Sequence, residues 1–345
     1  MRFLTHMLLV LLAVASALIG YSFYVSRPAA NLTWNNSQPH IIADPKAALT
    51  FARTSKQLIR VTRHLGDAVE GIDVSAGLGE RADLIETYAR LGYEGLAAVP
   101  GVVVTVPISD LILPVNFRHP HLAVGTNYSE HAEEVYLDDP PFLFPKLAQA
   151  SNWNAPVAFH PRLDFEAELA MVPLDDIHSP NDRVDFALVL ANDFTDRWTL
   201  VRQLDLGAPM GTTGFAAGKG RESFLPIGYL FVIPKSAAFF EEITLELSMN
   251  GEARQRFSAG EMILKINDIV RRAFAQSEQT FMDGDKLVSL LPTGGIPRGT
   301  LILTGTAAGV LFKPVNLWNQ DFYLGRGDRV TTRATFLGHL DNQIQ

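Results

Sequence analysis

From His119 to the C-terminus, glycines and prolines cut the sequence into short apolar runs, and this punctuation is what most limits the folds open to the chain. The runs are PVAF, FEAELAMVP, DFALVLAND, GYLFVIP, EITLELSM, GTLILTGT and the terminal DRVTTRATFLG. Each has the length of a strand and is bounded by turn residues. One segment interrupts them with helical spacing: between Gly260 and Ala275, residues Ile263, Ile266, Val270 and Ala273 or Phe274 recur at intervals of three and four. Strands this frequent, without long helices in strict alternation, argue against a doubly wound sheet and predict an α+β, mostly β domain over 118–345. Residues 28–117 read as a small N-terminal α/β domain. There, Pro28 to Pro45 is a tether or first loop, Lys46 to Leu65 is expected to contain a helix, Asp83 to Leu96 a second helix, and Val102 to Val106 a strand closed by Pro107.

Residues 1–27 stand apart. Phe3 to Val25 contains no Asp, Glu, Lys or Arg and is long enough to span a bilayer as a helix. Ala15 and Ala17 form an A-x-A-like site after a short apolar core, so a cleaved signal peptide is the alternative to an uncleaved membrane anchor. Either reading places the remainder of the chain outside the cytoplasm; a buried helix of a cytoplasmic protein is the third. Sequons occur at Asn31 and Asn127. With 37 acidic against 29 basic residues and a net charge of −8, the chain lacks the basic surface that nucleic acid requires. It has no cysteine, which excludes disulfides, thiolate catalysis and zinc–sulfur sites.

Five local patterns carry chemistry. In LDFEAELAMV, Glu166 and Glu168 are two apart in an expected strand. Period two puts both carboxylates on one face, roughly 6 to 7 Å apart along the backbone, where they can converge on a cation. A solvated strand face is the alternative. In LVLANDFTDR, an apolar strand ends at Asp193 near Arg197, as a ligand site or as a turn cap. A third carboxylate from here would complete an all-oxygen site suited to Mg²⁺, Mn²⁺ or Ca²⁺. In GTNYSEHAEEV, His131 and Glu134 are three apart and become neighbours on a helix, as a general base with its orienting carboxylate or as an exposed turn. Lys219 in AAGKGRESFLPIG is either a fixed cation or a solvated loop lysine. Thr304, Gly305 and Thr306 in ILTGTAAGV offer donors to an anion or make an ordinary turn.

Taken in order, these segments resemble the fumarylacetoacetate hydrolase family over His119 to Asn342. GTNYSEHAEE is similar to the family's N-Y-x-x-H-x-x-E segment, FLFPK to its F-x-K element ending here at Lys146, and LDFEAEL to its D-x-E-x-E-L strand. ANDFTDR is similar to N-D-x-[ST]-x-R, GKGRESFLPIG to a stretch beginning K-x-x-D, and LTGTAAGV to G-T-P-x-G-V, with a closing Gly-x-Leu-x-Asn in GHLDN. The resemblance implies a mixed β-roll catalytic domain and a homodimer. It implies Glu166, Glu168 and Asp193 as ligands of a divalent metal, Mg²⁺ or else Mn²⁺ or Ca²⁺. His131, Glu134 and Lys219 are implied as catalytic groups, and Tyr128, Arg197 and Thr306 as contacts to a small oxo-acid substrate. The implied activity is hydrolysis of the carbon–carbon bond of an acylpyruvate or related β-diketo acid. The alternatives are decarboxylation or isomerisation of a 2-oxo acid through a metal-bound enolate, or a membrane-tethered, non-catalytic binding protein on the same fold. Three departures stand out: Ala307 where the family turn has proline, Glu222 where Asp is usual, and a longer loop over Val201 to Ala217.

Overall fold

The computed structural model describes residues 2–35, 39–79, 83–137, 140–291 and 294–345. Helix α1 (Arg2–Val25) follows from the uncharged N-terminal stretch and stops before Pro28, whose ring and missing N–H cannot continue it. Its leucines and valines project from the body of the protein; Leu9 and Val10 are 59% and 62% exposed. Its foot is docked on the body of the protein. The Tyr21 and Tyr136 hydroxyls are 2.9 Å apart, the Phe23 and Phe322 rings meet edge-on at 4.9 Å, and Asn316 Nδ2 donates to Ser26 Oγ at 2.9 Å.

The helix expected within Lys46–Leu65 is instead a hairpin of β1 (Ala48–Arg53) and β2 (Leu58–His64). Thr54 Oγ1 accepts from the backbone N–H groups of Lys56 and Gln57 and closes the turn. Val61, Ile59 and Phe51 then bury on the pleated surface, so apolar residues that suit a helix by mixed spacing are sorted by two strands. β3 (Ala68–Asp73), α2 (Ser75–Leu78), α3 (Leu84–Ala97) and β4 (Val102–Pro107) follow. The Asp83 side chain caps α3 by accepting from the Ile85 and Glu86 N–H groups.

β5 (Arg118–Gly125), α4 (Ser129–Glu134) and β6 (Phe142–Lys146) open the larger part. They are followed by β7 (Leu163–Asp164), β8 (Ala167–Pro173), β9 (Phe186–Asn192), β10 (Thr195–Asp196), α5 (Arg197–Gln203), α6 (Phe215–Lys219) and β11 (Phe231–Pro234). Next come β12 (Thr244–Met249), β13 (Glu252–Ser258), α7 (Ile266–Ala275), β14 (Thr280–Asp283), β15 (Lys286–Ser289), β16 (Thr300–Leu303), β17 (Arg329–Ala334) and β18 (Gly338–Gln343). Helix α7 is shorter than the spacing predicts, because Ala259–Glu261 forms a single 3₁₀ turn closed by the Ser258–Glu261 capping box. PVAF is no regular strand; Val157 only bridges Ile344.

One ten-stranded sheet runs in the order β4-β3-β2-β1-β11-β9-β8-β16-β5-β6, antiparallel except where β16 and β5 pair parallel. A four-stranded sheet, β13-β12-β17-β18, completes the α+β, mostly β architecture expected from the sequence. The N-terminal strands extend the large sheet through the β1–β11 pairing and share its core. β8, β9 and β16 are buried on both faces, as their continuous Leu, Val and Ala runs require. Asn127 is fully buried, with its amide bonded to Thr304 O and both backbone groups of Leu264, so that sequon is not available for glycosylation.

The tether after α1 is fastened by a histidine cluster. The His40 ring lies 4.5 Å from that of His64 and stacks on His339 at 4.9 Å, while the Tyr229 hydroxyl bridges His64 Nε2 and His339 Nδ1 at 2.9 and 3.0 Å. Burial, then the neighbouring imidazoles, lower His64 and His339 to about 4, and burial lowers His40. Their folded-state values lie below the unfolded one, so the stability they contribute is complete above about pH 6.5 and drains away as pH falls toward 4. The melting temperature of the full chain is therefore expected to fall between pH 7 and pH 5, and to fall less steeply in His64→Gln. Equal slopes in thermal scans of the two proteins would show that the cluster does not set this dependence.

Candidate active site

Three carboxylates converge beneath a cavity. The ligand oxygens of Glu166, Glu168 and Asp193 lie within 4.8 Å of one another, and all three residues are buried. Glu168 is on β8, whereas Glu166 falls just before that strand, in the two-residue break after β7. The alternation expected of one continuous strand is thus not what aims them. Asn192 Oδ1 accepts from Glu166 N at 3.0 Å, and Asp193 N donates to Glu166 O at 2.9 Å, so the end of β9 fixes the break and brings Asp193 to it.

Buried cations hold these carboxylates. Lys219, at the end of α6 and 3% exposed, donates to Glu166 Oε2 at 2.7 Å and to Asp193 Oδ2 at 3.1 Å. The solvated loop lysine left open by the sequence is not what the fold makes of it. Lys146, on β6 and fully buried, places Nζ 2.7 Å from Asp193 Oδ1 and also donates to the carbonyls of Lys219 and Phe224. Sequence reasoning brought Lys146 into a motif but gave it no role. Arg197, which opens α5, divides its guanidinium between Asp164 Oδ2 at 2.8 Å and Glu166 Oε1 at 2.6 Å. Asp164, unassigned from the sequence, also accepts from the N–H groups of Leu311 and Phe312.

The electrostatics follow from this census. Burial raises the Glu166 carboxyl, but Lys219 and Arg197 outweigh it and bring it down to about 2. Burial, then Asp193 and Glu166, push Glu168 well above the ordinary carboxylate range. Burial lowers Lys146 against the pull of Asp193, while for Lys219 the neighbouring Asp193 and Glu166 prevail over burial and raise it. Among the described residues, the four carboxylates Asp164, Glu166, Glu168 and Asp193 face the three cations Lys146, Lys219 and Arg197. Among the described residues Glu168 is the one of the four with no cation bonded to it, and its carboxyl is held toward the protonated form. A hard divalent cation bound by Glu166, Glu168 and Asp193 would favour the ionised form instead, so the all-oxygen donor set fits such an ion.

The small-residue turn after β16 closes the site. Gly305 N donates to Glu168 Oε2 at 2.7 Å from a backbone at φ 88°, where a Cβ would lie 3.0 Å from both Asn127 Cβ and Val124 O. The Thr306 hydroxyl donates to Ala167 O at 2.8 Å. Ala307 replaces the family's proline, and the turn is tied instead by Gln255 of β13. Gln255 Nε2 donates to Thr306 Oγ1 and Ala307 O at 2.9 Å, while its Oε1 accepts from Ala167 N at 3.0 Å. Nothing in the spacing of EARQRFS signals that role. Glu222 is exposed on the surface.

His131 and Glu134 lie on α4, with Nδ1 and Oε2 3.4 Å apart. The other Glu134 oxygen accepts from Lys313 Nζ at 2.6 Å and from Gly309 N at 3.0 Å. Burial raises Glu134, but His131 and Lys313 overcome it and lower the carboxyl. Lys313, in LFKP, was not foreseen. Tyr128 precedes α4 with its ring edge-on to Phe257 at 5.0 Å and its hydroxyl buried without a hydrogen-bond partner, and it is absent from the cavity wall. The cavity encloses about 400 Å³, and its polar lining residues are Thr126, His131, Glu166, Arg197, Lys219 and Thr306.

Glu166→Gln and Asp193→Asn are each expected to weaken Mn²⁺ binding by about tenfold or more, since even groups that only orient metal ligands contribute on that scale. Titration calorimetry on the full chain measures this, and unchanged affinity in both variants would remove these residues from the metal's ligands.

The sequence model of the family described as Fumarylacetoacetate (FAA) hydrolase C-terminal matches residues 121–345. A 2,4-didehydro-3-deoxy-L-rhamnonate hydrolase from Sphingomonas sp. (strain SKA58) is 27% identical over 233 residues, covering 63% of this chain and 78% of that protein. Fumarylacetoacetate hydrolase from psychrophilic Exiguobacterium antarcticum superposes with a TM-score of 0.60 at 22% identity, covering 86% of this chain and 99% of that one. 2-Hydroxyhepta-2,4-diene-1,7-dioate isomerase from Mycobacterium marinum gives 0.57 at 19% identity, over 86% of this chain and 98% of that one. At these identities the structural likeness speaks to the fold, and the family match, spanning well over half of the sequence, settles the kinship: the chain belongs to the fumarylacetoacetate hydrolase family.

Proposed function

We propose that this chain is a divalent-metal-dependent hydrolase that cleaves the carbon–carbon bond of an acylpyruvate or related β-diketo acid, with the site carried by residues 118–345. The observation that supports it best is the buried Glu166–Glu168–Asp193 cluster under a cavity also lined by His131 and Lys219. Mg²⁺ or Mn²⁺ held by the three carboxylates would polarise the carbonyl oxygens of the acid. His131 is the candidate base for water, with Glu134 fixing its ring and Lys313 and Gly309 fixing Glu134 in turn. Water adds its hydroxyl to the distal carbonyl carbon, and its other proton passes to His131. Cleavage of the adjacent carbon–carbon bond leaves a carboxylic acid and the pyruvate fragment, to which His131 returns the proton. Lys219 is the candidate cation for the negative charge that develops on that fragment, and Thr306 and Arg197, which line the same cavity, are the candidate contacts to the acid.

A second reading, decarboxylation or isomerisation of a 2-oxo acid, is favoured by the 3.4 Å separation in the His131–Glu134 pair, since neither reaction needs an activated water. One experiment separates the two. A general base contributes about 10²- to 10⁴-fold, so His131→Ala is expected to lower kcat on an acylpyruvate by about 10²-fold or more while leaving metal affinity nearly unchanged. Glu134→Gln should lose less in the same direction. Oxaloacetate decarboxylation, measured in parallel at saturating metal, should survive His131→Ala better. Full hydrolysis by His131→Ala would take the pair out of the mechanism.

We also propose that α1 is a membrane anchor and that the rest of the chain lies outside the cytoplasm. A helix from Thr5 to Val25 with nearly all its side chains exposed shows more contiguous hydrocarbon than water tolerates on a folded protein. Tyr21 and Tyr24, near its C-terminal end, suit a bilayer interface. The full-length protein is expected in the membrane fraction and open to protease added from outside. Recovery as a soluble protein protected inside the cell would refute the assignment.

A further inference from the structure

The cavity is polar at one end and hydrocarbon elsewhere. Its apolar wall includes Phe142, Leu200, Leu204, Met210, Phe215 and Leu317, and it encloses about 400 Å³. Among the described lining residues every ionisable group, His131, Glu166, Arg197 and Lys219, is a member of the carboxylate site or its base, and Arg197 is already committed to Asp164 and Glu166. A substrate with a second carboxylate at its far end would bury that charge against leucine and methionine with no partner. Much of this wall comes from the Val201–Ala217 stretch, whose Leu206 marks the mouth at 83% exposed.

The cavity lining also comes close to the foot of α1. Leu137 and Leu317 line the cavity, and their chain neighbours Tyr136 and Asn316 are the residues that bond to Tyr21 and Ser26. Trp318, half exposed, stands on the same side, its ring 6.0 Å from that of Phe322, which Phe23 touches. An apolar helix, an aromatic rim and a hydrocarbon-walled cavity therefore lie near one another.

We propose that the oxo-acid substrate carries a long apolar acyl tail, which lies along the wall formed by Leu200, Leu204 and Met210 while its acid end meets the carboxylate site, and that this amphiphile enters from the membrane surface beside α1. The inference rests on the oxo-acid reading of the polar end.

The test is calorimetric binding of pyruvate, 2-oxohexanoate and 2-oxooctanoate to the Mn²⁺-loaded full chain in lipid nanodiscs, with protein-free nanodiscs correcting for partition. Each buried methylene should tighten binding by about fourfold, giving on the order of 10²- to 10³-fold between pyruvate and 2-oxooctanoate. Leu204→Gln and Met210→Gln, on separate parts of the wall, should each cut that ratio by about tenfold. Affinity that is flat or falls with chain length overturns the tail site, as does absence of binding by all three acids. Parallel assays with acetylpyruvate and octanoylpyruvate tell the two proposals apart. Cleavage of acetylpyruvate without any gain from the longer chain leaves the hydrolase standing and removes the tail site. Chain-length-dependent binding without cleavage of either does the reverse.

Discussion

Asp193 is fully buried, and two lysine ammonium groups from distant parts of the chain close on its carboxylate. A lone carboxylate at that depth would be prohibitive, so the site exists only because β6 delivers Lys146, α6 delivers Lys219 and β9 ends where it does. The same demand spreads outward. Lys219 also holds Glu166, Glu166 also holds Arg197, and Arg197 is steadied by Asp164, which in turn takes the Leu311 and Phe312 N–H groups. A network of this kind is costly when half complete, and here its one uncompensated member is Glu168, next to where a cation would sit.

The scaffold makes such a network affordable by burying the central strands on both faces. β8 and β9 are apolar apart from Glu168 near the start of β8 and Asn192 at the end of β9, and Glu166 and Asp193 enter at the break after β7 and just past β9. Gln255 reaches across from the smaller sheet and ties the strand carrying Glu168 to the Thr306–Ala307 turn. Rigidity in the turn therefore comes here from hydrogen bonds between the sheets.

Two further regions border the cavity. The Val201–Ala217 stretch contributes hydrocarbon to the cavity rather than charge. α1 leaves the domain within reach of the cavity mouth, fastened by a pair of tyrosine hydroxyls, an aromatic contact and one asparagine.

The uncharged stretch from Phe3 to Val25, the strand-and-turn texture after His119 and the order of the acidic and basic motifs are properties of the sequence by itself, because each is a matter of composition or of spacing along one segment. They determined the α+β class, the apolar N-terminal helix and the candidate carboxylates. Elsewhere local pattern was insufficient. Lys46–Leu65 has apolar spacing that a helix and a hairpin both satisfy, and only pairing of β1 with β11 in the large sheet decides for strands. Glu166 and Glu168 meet through a break in the strand fixed by Asn192, not through simple alternation. Lys146 and Asp164 fall within motifs that gave them no role, and Gln255 and Lys313 carry no signature in their own segments. Their roles arise from burial, which strips water from the carboxylates and leaves each one dependent on a partner that only the tertiary fold brings within about 3 Å.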